Sequence, residues 1–171
     1  MRDINKELNY CIGLLDGIYN VPKITSVKVS SRMTKTYGRC RTWRYKDDVE
    51  LTFAKVILDD NYPKNLMYNT IIHELLHAID HNKSKHGGEW LRMANEVSDL
   101  YSFIGNVQRY ASDEKQQARE MIQPHKERTR YEIICTSCGA KAWRLGYRAP
   151  KWYAHPENFH CKCGGRFKKI I

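Results

Sequence analysis

His73-Glu74-Leu75-Leu76-His77 sets two imidazoles four residues apart with a carboxylate beside the first. At helical pitch the two histidines project from one face, so both can reach a single metal ion. Glu74 can take a proton from a water that such a metal activates, which is hydrolytic chemistry. Ile71, Ile72, Leu75, Leu76 and Ile79 fill the positions between, as expected of a helix buried in a core. A catalytic zinc usually keeps three protein ligands and one open position, so a third donor is needed.

Three residues compete for that role. His81 lies one turn further along the same helix, where three successive donors give poor tetrahedral geometry. His86 follows a loop and precedes Gly87-Gly88, which suits a return of the chain towards the metal. Glu96 is its rival, because thermolysin-like zincins take a glutamate from the next helix at a similar distance. Of these His86 is favoured. The metzincin arrangement needs a histidine where Lys83 stands, and so fails.

A second cluster lies near the C-terminus. Cys135-Thr136-Ser137-Cys138-Gly139 and Cys161-Lys162-Cys163-Gly164 read as two knuckles of a structural zinc site. Thiolates at this spacing can grip one ion from a tight turn, and the glycine after each pair permits the backbone to turn. The second knuckle is CxC instead of CxxC. His160, three positions before Cys163, could replace Cys161 and restore the two-residue gap. Between the knuckles Lys141, Trp143, Arg144, Tyr147, Arg148, Lys151, Trp152 and Tyr153 interleave cations with aromatics. Such a patch can stack unpaired bases and meet phosphates, or it can cover a small ribbon core between solvated charges.

The elements that must position these groups follow from periodicity. Asp3 to about Tyr19 reads as an amphipathic helix ended by Val21-Pro22, with Ile4, Leu8, Cys11, Ile12, Leu15 and Ile18 at helical spacing. From Lys23 to Leu58 the period becomes two. One strand holds Ile24, Val27 and Val29, a second runs from Tyr37 to Tyr45, and a third holds Val49, Leu51 and Phe53 after a turn at Lys46-Asp47-Asp48. Helices are expected over 65–81, carrying the HExxH motif, and over 89–103. A short helix capped by Ser112 or Asp113 and stopped by Pro124 would lie in a polar connection. The fold class is therefore α+β: a three-stranded sheet packed on helices over 1–110, a helical linker over 111–130 and a small β zinc ribbon over 131–171.

The chain has 171 residues, with 29 Lys and Arg against 19 Asp and Glu, for a net charge of +10. That balance favours polyanionic partners, nucleic acid first. The start is mixed in charge and lacks the apolar stretch of a secretory leader, and no run is long enough to span a bilayer. A soluble, non-secreted protein is expected, cytoplasmic or associated with DNA in a nucleoid or nucleus. Cys11 and Cys40 are expected as free thiols.

His73-Glu-Leu-Leu-His77-Ala78 followed by His86-Gly87-Gly88-Glu89-Trp90 resembles the SprT-like family of zinc metalloproteases, which includes Spartan. Tyr37-Gly38-Arg39-Cys40 and Val49-Glu50-Leu51 are similar to the strands that precede that family's metal helix, and a similar ribbon often follows its protease domain. The resemblance implies a zincin-like endopeptidase with His86 as third ligand to the catalytic zinc and Glu74 as general base. It also implies one structural zinc in the ribbon. The substrates would be proteins bound or crosslinked to DNA, with single-stranded DNA or single-stranded regions as the second partner. Two other readings remain open from the residues: a non-catalytic DNA-binding zinc protein, and a thermolysin-like peptidase unrelated to DNA.

Overall fold

Helix α1, Ile4–Leu15, starts where the Asp3 carboxylate accepts the Asn5 backbone N–H at 2.9 Å, satisfying one of the unpaired donors of the first turn. In the computed structural model, which describes residues 1–43, 46–107, 112–123 and 128–170 (46 and 47 by backbone alone), this helix buries Leu8, Cys11 and Leu15 along one stripe. It ends four residues short of the expected Tyr19. The backbone N–H groups of Ile18 and Tyr19 both turn back to the Leu15 carbonyl, and Gly17 takes a positive φ of 79°.

Strands β1 (Ser26–Ser30), β2 (Gly38–Trp43) and β3 (Lys46–Ala54) form one sheet in the order β1-β3-β2. β1 runs parallel to β3, and β2 antiparallel to it. The third strand in sequence is thus the central one, with Val49, Leu51 and Phe53 buried. The turn expected at 46–48 is instead the start of β3, since Lys46 already pairs with Trp43. Residues 44 and 45 lie outside those described.

Helix α2, Lys64–Ile79, packs on β2 and on α1. Its buried residues, from Leu66 to Ala78, occupy every side of the helix, which makes it the central rod of the core and not a surface helix. Each of its enclosed aliphatic side chains, such as Leu75 and Leu76, contributes about 2 kcal/mol relative to exposure. Beyond the cap residue Asp80, His81 adopts a left-handed φ of 51°. The Asn82 N–H bonds the His77 carbonyl at 2.9 Å and the His81 N–H bonds that of Ala78 at 3.1 Å, the pattern of a Schellman stop. A side chain at this position costs conformational energy that glycine avoids. His81→Gly is therefore expected to stabilise the protein by about 1 kcal/mol, raising the thermal midpoint by about 2–4 °C. A scan of the metal-loaded protein checks this, and an unchanged or lower midpoint would contradict it.

Helix α3, Gly88–Leu100, buries Trp90, Met93, Ala94 and Val97. Helix α4, Asp113–Ile122, begins as expected with the Ser112 hydroxyl accepting the Lys115 N–H. It is not a linker. Ala118 joins the hydrophobic core, and Arg119 donates to the carbonyls of Thr34 at 2.7 Å and Thr36 at 2.8 Å while stacking on Tyr37. The first compact unit accordingly spans Met1–Pro124, not 1–110. The expected stop at Pro124 lies outside the described residues.

The second unit, His125–Ile171, holds a separate antiparallel sheet in the order β5-β4-β6. Its strands are β4 (Thr129–Cys135), β5 (Lys141–Gly146) and β6 (Phe167–Lys169), with a one-turn helix α5 at Lys151–Ala154. Among the described residues no helix is long and apolar enough to cross a membrane.

Candidate functional site

α2 carries His73 and His77 on one face, and the loop after it returns His86 to the same point. The His86 Nε2 lies 3.0 Å from that of His77 and 3.2 Å from that of His73. Donors about 2.05 Å from a tetrahedral zinc stand about 3.3 Å apart, so the three nitrogens fit such an ion closely. The buried Nδ1 of His77 has no hydrogen-bond partner among the described residues. Burial, with His86 close by, pulls His77 down to about 4 and leaves its imidazole neutral, the form that ligates metal.

Trp90 packs against all three rings, with centroids 4.9, 5.2 and 4.8 Å from those of His73, His77 and His86. The sequence shows it only as the end of the His86-Gly87-Gly88-Glu89-Trp90 stretch; here it is the wall on which the three imidazoles rest. Glu96 is elsewhere: it accepts the Tyr19 hydroxyl at 2.6 Å and pairs with Arg92 at 2.8 Å. His81 is exposed beyond the helix stop. The cluster of candidate ligands is His73, His77 and His86.

Glu74 lies at the floor of a cleft of about 670 Å³ that also exposes His73, His77 and His86. It is 6% exposed, and burial pushes its carboxyl up to about 8 against the opposing pull of the Cys40 backbone N–H, Lys115 and Arg39. One wall of the cleft is the stretch from Lys35 to Cys40 leading into β2. Gly38 there passes so close to Glu74 that an added Cβ would lie 2.6 Å from its Cγ and Oε1.

α4 supplies a further lining residue, Lys115, which sequence reasoning missed. It is buried, its ammonium donates to Asn69 Oδ1 at 2.7 Å, and burial lowers it to about 8 while Glu74 pulls it back up. Nothing in a polar segment marks one of its lysines as buried. Cys40 also lines the cleft as a free thiol, which burial raises to about 12 and thereby keeps unreactive.

In the second unit Cys135, Cys138, Cys161 and Cys163 bring their sulfurs together, with 3.6 Å from Cys135 to Cys163 and from Cys138 to Cys161. Sulfurs about 2.3 Å from a tetrahedral zinc stand about 3.8 Å apart, so this set fits the ion as well. Backbone N–H groups of Cys138 and Ser137 aimed at the Cys135 sulfur help pull that thiol down to about 6. Gly139 and Gly164, after the two knuckles, take the positive φ values of 74° and 83° that the turns need. His160 pairs through its backbone with Arg166 and is not in the cluster.

The interleaved patch divides between the sheet's two faces. Trp143 and Leu145 stand out on one face, 58% and 49% exposed, opposite Glu132 and Arg130 of β4. The Arg130 guanidinium lies 4.9 Å from the Trp143 ring, and that of Arg128 lies 5.5 Å from the ring of Tyr147. Lys141 shares the face with Trp143. On the other face Tyr131 meets Tyr153, which in turn meets Trp152, so these aromatics pack within the ribbon. Arg144, opposite Tyr131, belongs to that side, while Arg148 and Lys151 are exposed beyond the strand. Residues 125–171 hold eleven Lys and Arg against three Asp and Glu, so +8 of the chain's +10 belongs to this small unit.

No curated protein matches the chain. The SprT-like family model does, over residues 11–114, which include the end of α1, the first sheet, all three histidines and Glu74. Membership carries with it a metallopeptidase-like domain. With more than half of its length matched, this chain belongs to the SprT-like family.

Proposed function

We propose that the chain is a zinc-dependent endopeptidase with a zincin-like first unit, acting on proteins bound or crosslinked to DNA, with the basic ribbon as its DNA-binding module. The observation that supports hydrolysis best is the convergence of three Nε2 atoms beside a buried carboxylate in an open cleft. A zinc ion held by His73, His77 and His86 would supply Lewis acidity, polarising the scissile carbonyl and acidifying water. Glu74 accepts the proton of the attacking water and delivers it to the leaving amine. The Cys40 backbone N–H orients the Glu74 carboxylate for both transfers. A second zinc, held by Cys135, Cys138, Cys161 and Cys163, would be structural.

In the sequence, the strand at Val49 to Phe53 is the one nearest to the metal helix that could pair with an extended substrate. That strand is β3, hydrogen-bonded on both sides, so it has no free edge. β2 is an edge strand, and its first residues line the cleft, so it takes over that role and gives main-chain recognition with little sequence selectivity.

Support for DNA comes from the ribbon's concentrated charge and from the open face carrying Trp143, Tyr147, Arg128, Arg130 and Lys141. Exposed rings flanked by guanidinium groups suit unpaired bases and phosphates. The test is cleavage of a DNA-binding protein by the zinc-loaded chain, with and without single-stranded DNA, beside Glu74→Gln. DNA-stimulated cleavage, lowered at least about 1000-fold in the variant with zinc retained, is the expected result. Intact zinc and tight DNA binding without any cleavage would leave a non-catalytic DNA-binding protein. Cleavage indifferent to DNA would remove the DNA part of the reading.

A further inference from the structure

Hydrolysis alone does not use the charge that lines the cleft. Lys35, Arg39, Lys85 and Lys115 face it, against one carboxylate, Glu74. The first three are exposed and screened by solvent. Lys115 differs: it is 7% exposed and held in place by a built support. Its Nζ donates to Asn69 Oδ1 at 2.7 Å. The Asn69 amide is fixed from behind, donating to the carbonyls of Ile104 and Asn106, each at 2.9 Å. That arrangement leaves the amide oxygen aimed at the ammonium.

An ammonium has three donors, and Asn69 takes one. Among the described residues no carboxylate comes within ion-pair distance of Lys115, Glu74 included. Thr70, which lines the same end of the cleft one helical turn before Glu74, has its hydroxyl committed to the Leu66 carbonyl. A buried cation with spare donors at the wall of a substrate cleft calls for an anionic acceptor from outside. We propose that Lys115 forms the floor of a substrate subsite that receives an acidic side chain, Asp or Glu, close to the scissile bond. The occupant rests on the endopeptidase reading above; the cation and its support do not.

Two experiments separate the proposal from that reading. In the first, two fluorescein-labelled peptides, identical but for a central Glu or Lys, are titrated into zinc-loaded Glu74→Gln protein in 0.5 M salt, about where exposed charges cease to matter. The Glu peptide is expected to bind about tenfold or more tightly, the scale of one hydrogen bond between charged groups. Lys115→Met, similar in shape, is expected to bring the ratio below about twofold. In the second, the wild-type protein digests a random peptide mixture, and mass spectrometry reads the residues flanking each cut. Enrichment of Asp and Glu at one position is expected, lost in Lys115→Met and turned towards Lys and Arg in Lys115→Glu. Equal binding of the two peptides to the Glu74→Gln protein overturns the subsite without recourse to any substitution at Lys115. So does cleavage with no acidic enrichment. Glu-selective binding with no cleavage sustains the subsite and sinks the endopeptidase reading instead.

Discussion

Gly38→Ala is expected to lower kcat/KM by about 100-fold or more while leaving the metal content of the protein unchanged. The new Cβ would lie 2.6 Å from Glu74 Cγ and Oε1 and 2.9 Å from its Cδ, closer than real carbon contacts allow. Backbone strain does not enter, because Gly38 has no positive φ and alanine fits its strand conformation. Something must therefore move. The core around α2 is filled, with Ile71, Ile72, Leu75 and Leu76 fully enclosed, so the carboxylate yields before the helix does. A displaced Glu74 loses the Cys40 N–H and the position from which it shuttles a proton. His73, His77 and His86 are backed by Trp90 and do not meet the new Cβ, so they keep their geometry. Stability should fall by about 1–3 kcal/mol, the usual cost of overpacking. Cleavage rates and zinc stoichiometry measured together check the prediction; wild-type turnover in Gly38→Ala would mean that the contact does not hold the general base.

The second large effect is expected from a chelator. Stripping metal should unfold the ribbon and spare the first unit. The described part of the ribbon, residues 128–170, buries only two hydrophobic side chains, Ile133 and Cys135. At about 2 kcal/mol each these cannot offset the conformational entropy of ordering some forty residues, at about 1 kcal/mol or more per residue. A structural zinc contributes about 10–16 kcal/mol of apparent binding energy, which is the scale the ribbon needs. The first unit has a core running from Leu8 to Ala118 and does not depend on one ion. Hydrogen exchange read by mass spectrometry distinguishes the two. Peptides of β4 and β5 should exchange fully within the dead time after chelation, while those of α2 stay protected. Persistent protection of β4 in excess chelator would show that the ribbon folds without its metal.

The parts of this site that were legible in the sequence are those where chemistry allows few residue types at fixed spacings. His73, Glu74 and His77 belong to one helical turn, and the two cysteine pairs carry their own spacing; the structure brings each set together. His86 was legible because glycines follow it. What stayed hidden depends on partners distant in sequence. A period of two announces three strands but not that β3 lies between the other two, nor that β1 is parallel to it. Gly38 reads as one residue of the second strand, and only its approach to Glu74 shows why no side chain fits. The polar composition of α4 reads as a linker. Three of its residues, Lys115, Ala118 and Arg119, are nevertheless buried, and they take partners in α2, in the core and at Thr34 and Thr36. The aromatic patch of the ribbon read as one surface, since alternation along β5 alone does not say which side the second layer, Trp152 and Tyr153, will cover.

Arg119 ties α4 to the carbonyls of Thr34 and Thr36, 85 and 83 residues earlier, where the chain enters the cleft wall. The family resemblance stops at residue 114, inside the first turn of that helix. A fragment trimmed to the region of resemblance would retain all three histidines and Glu74. It would nevertheless lose the fastening that holds one lip of the cleft, together with the lysine in its floor. The smallest piece that keeps this cleft whole therefore extends at least to the end of α4 at Ile122, and a shorter one would hold the three histidines in a site whose wall has come undone.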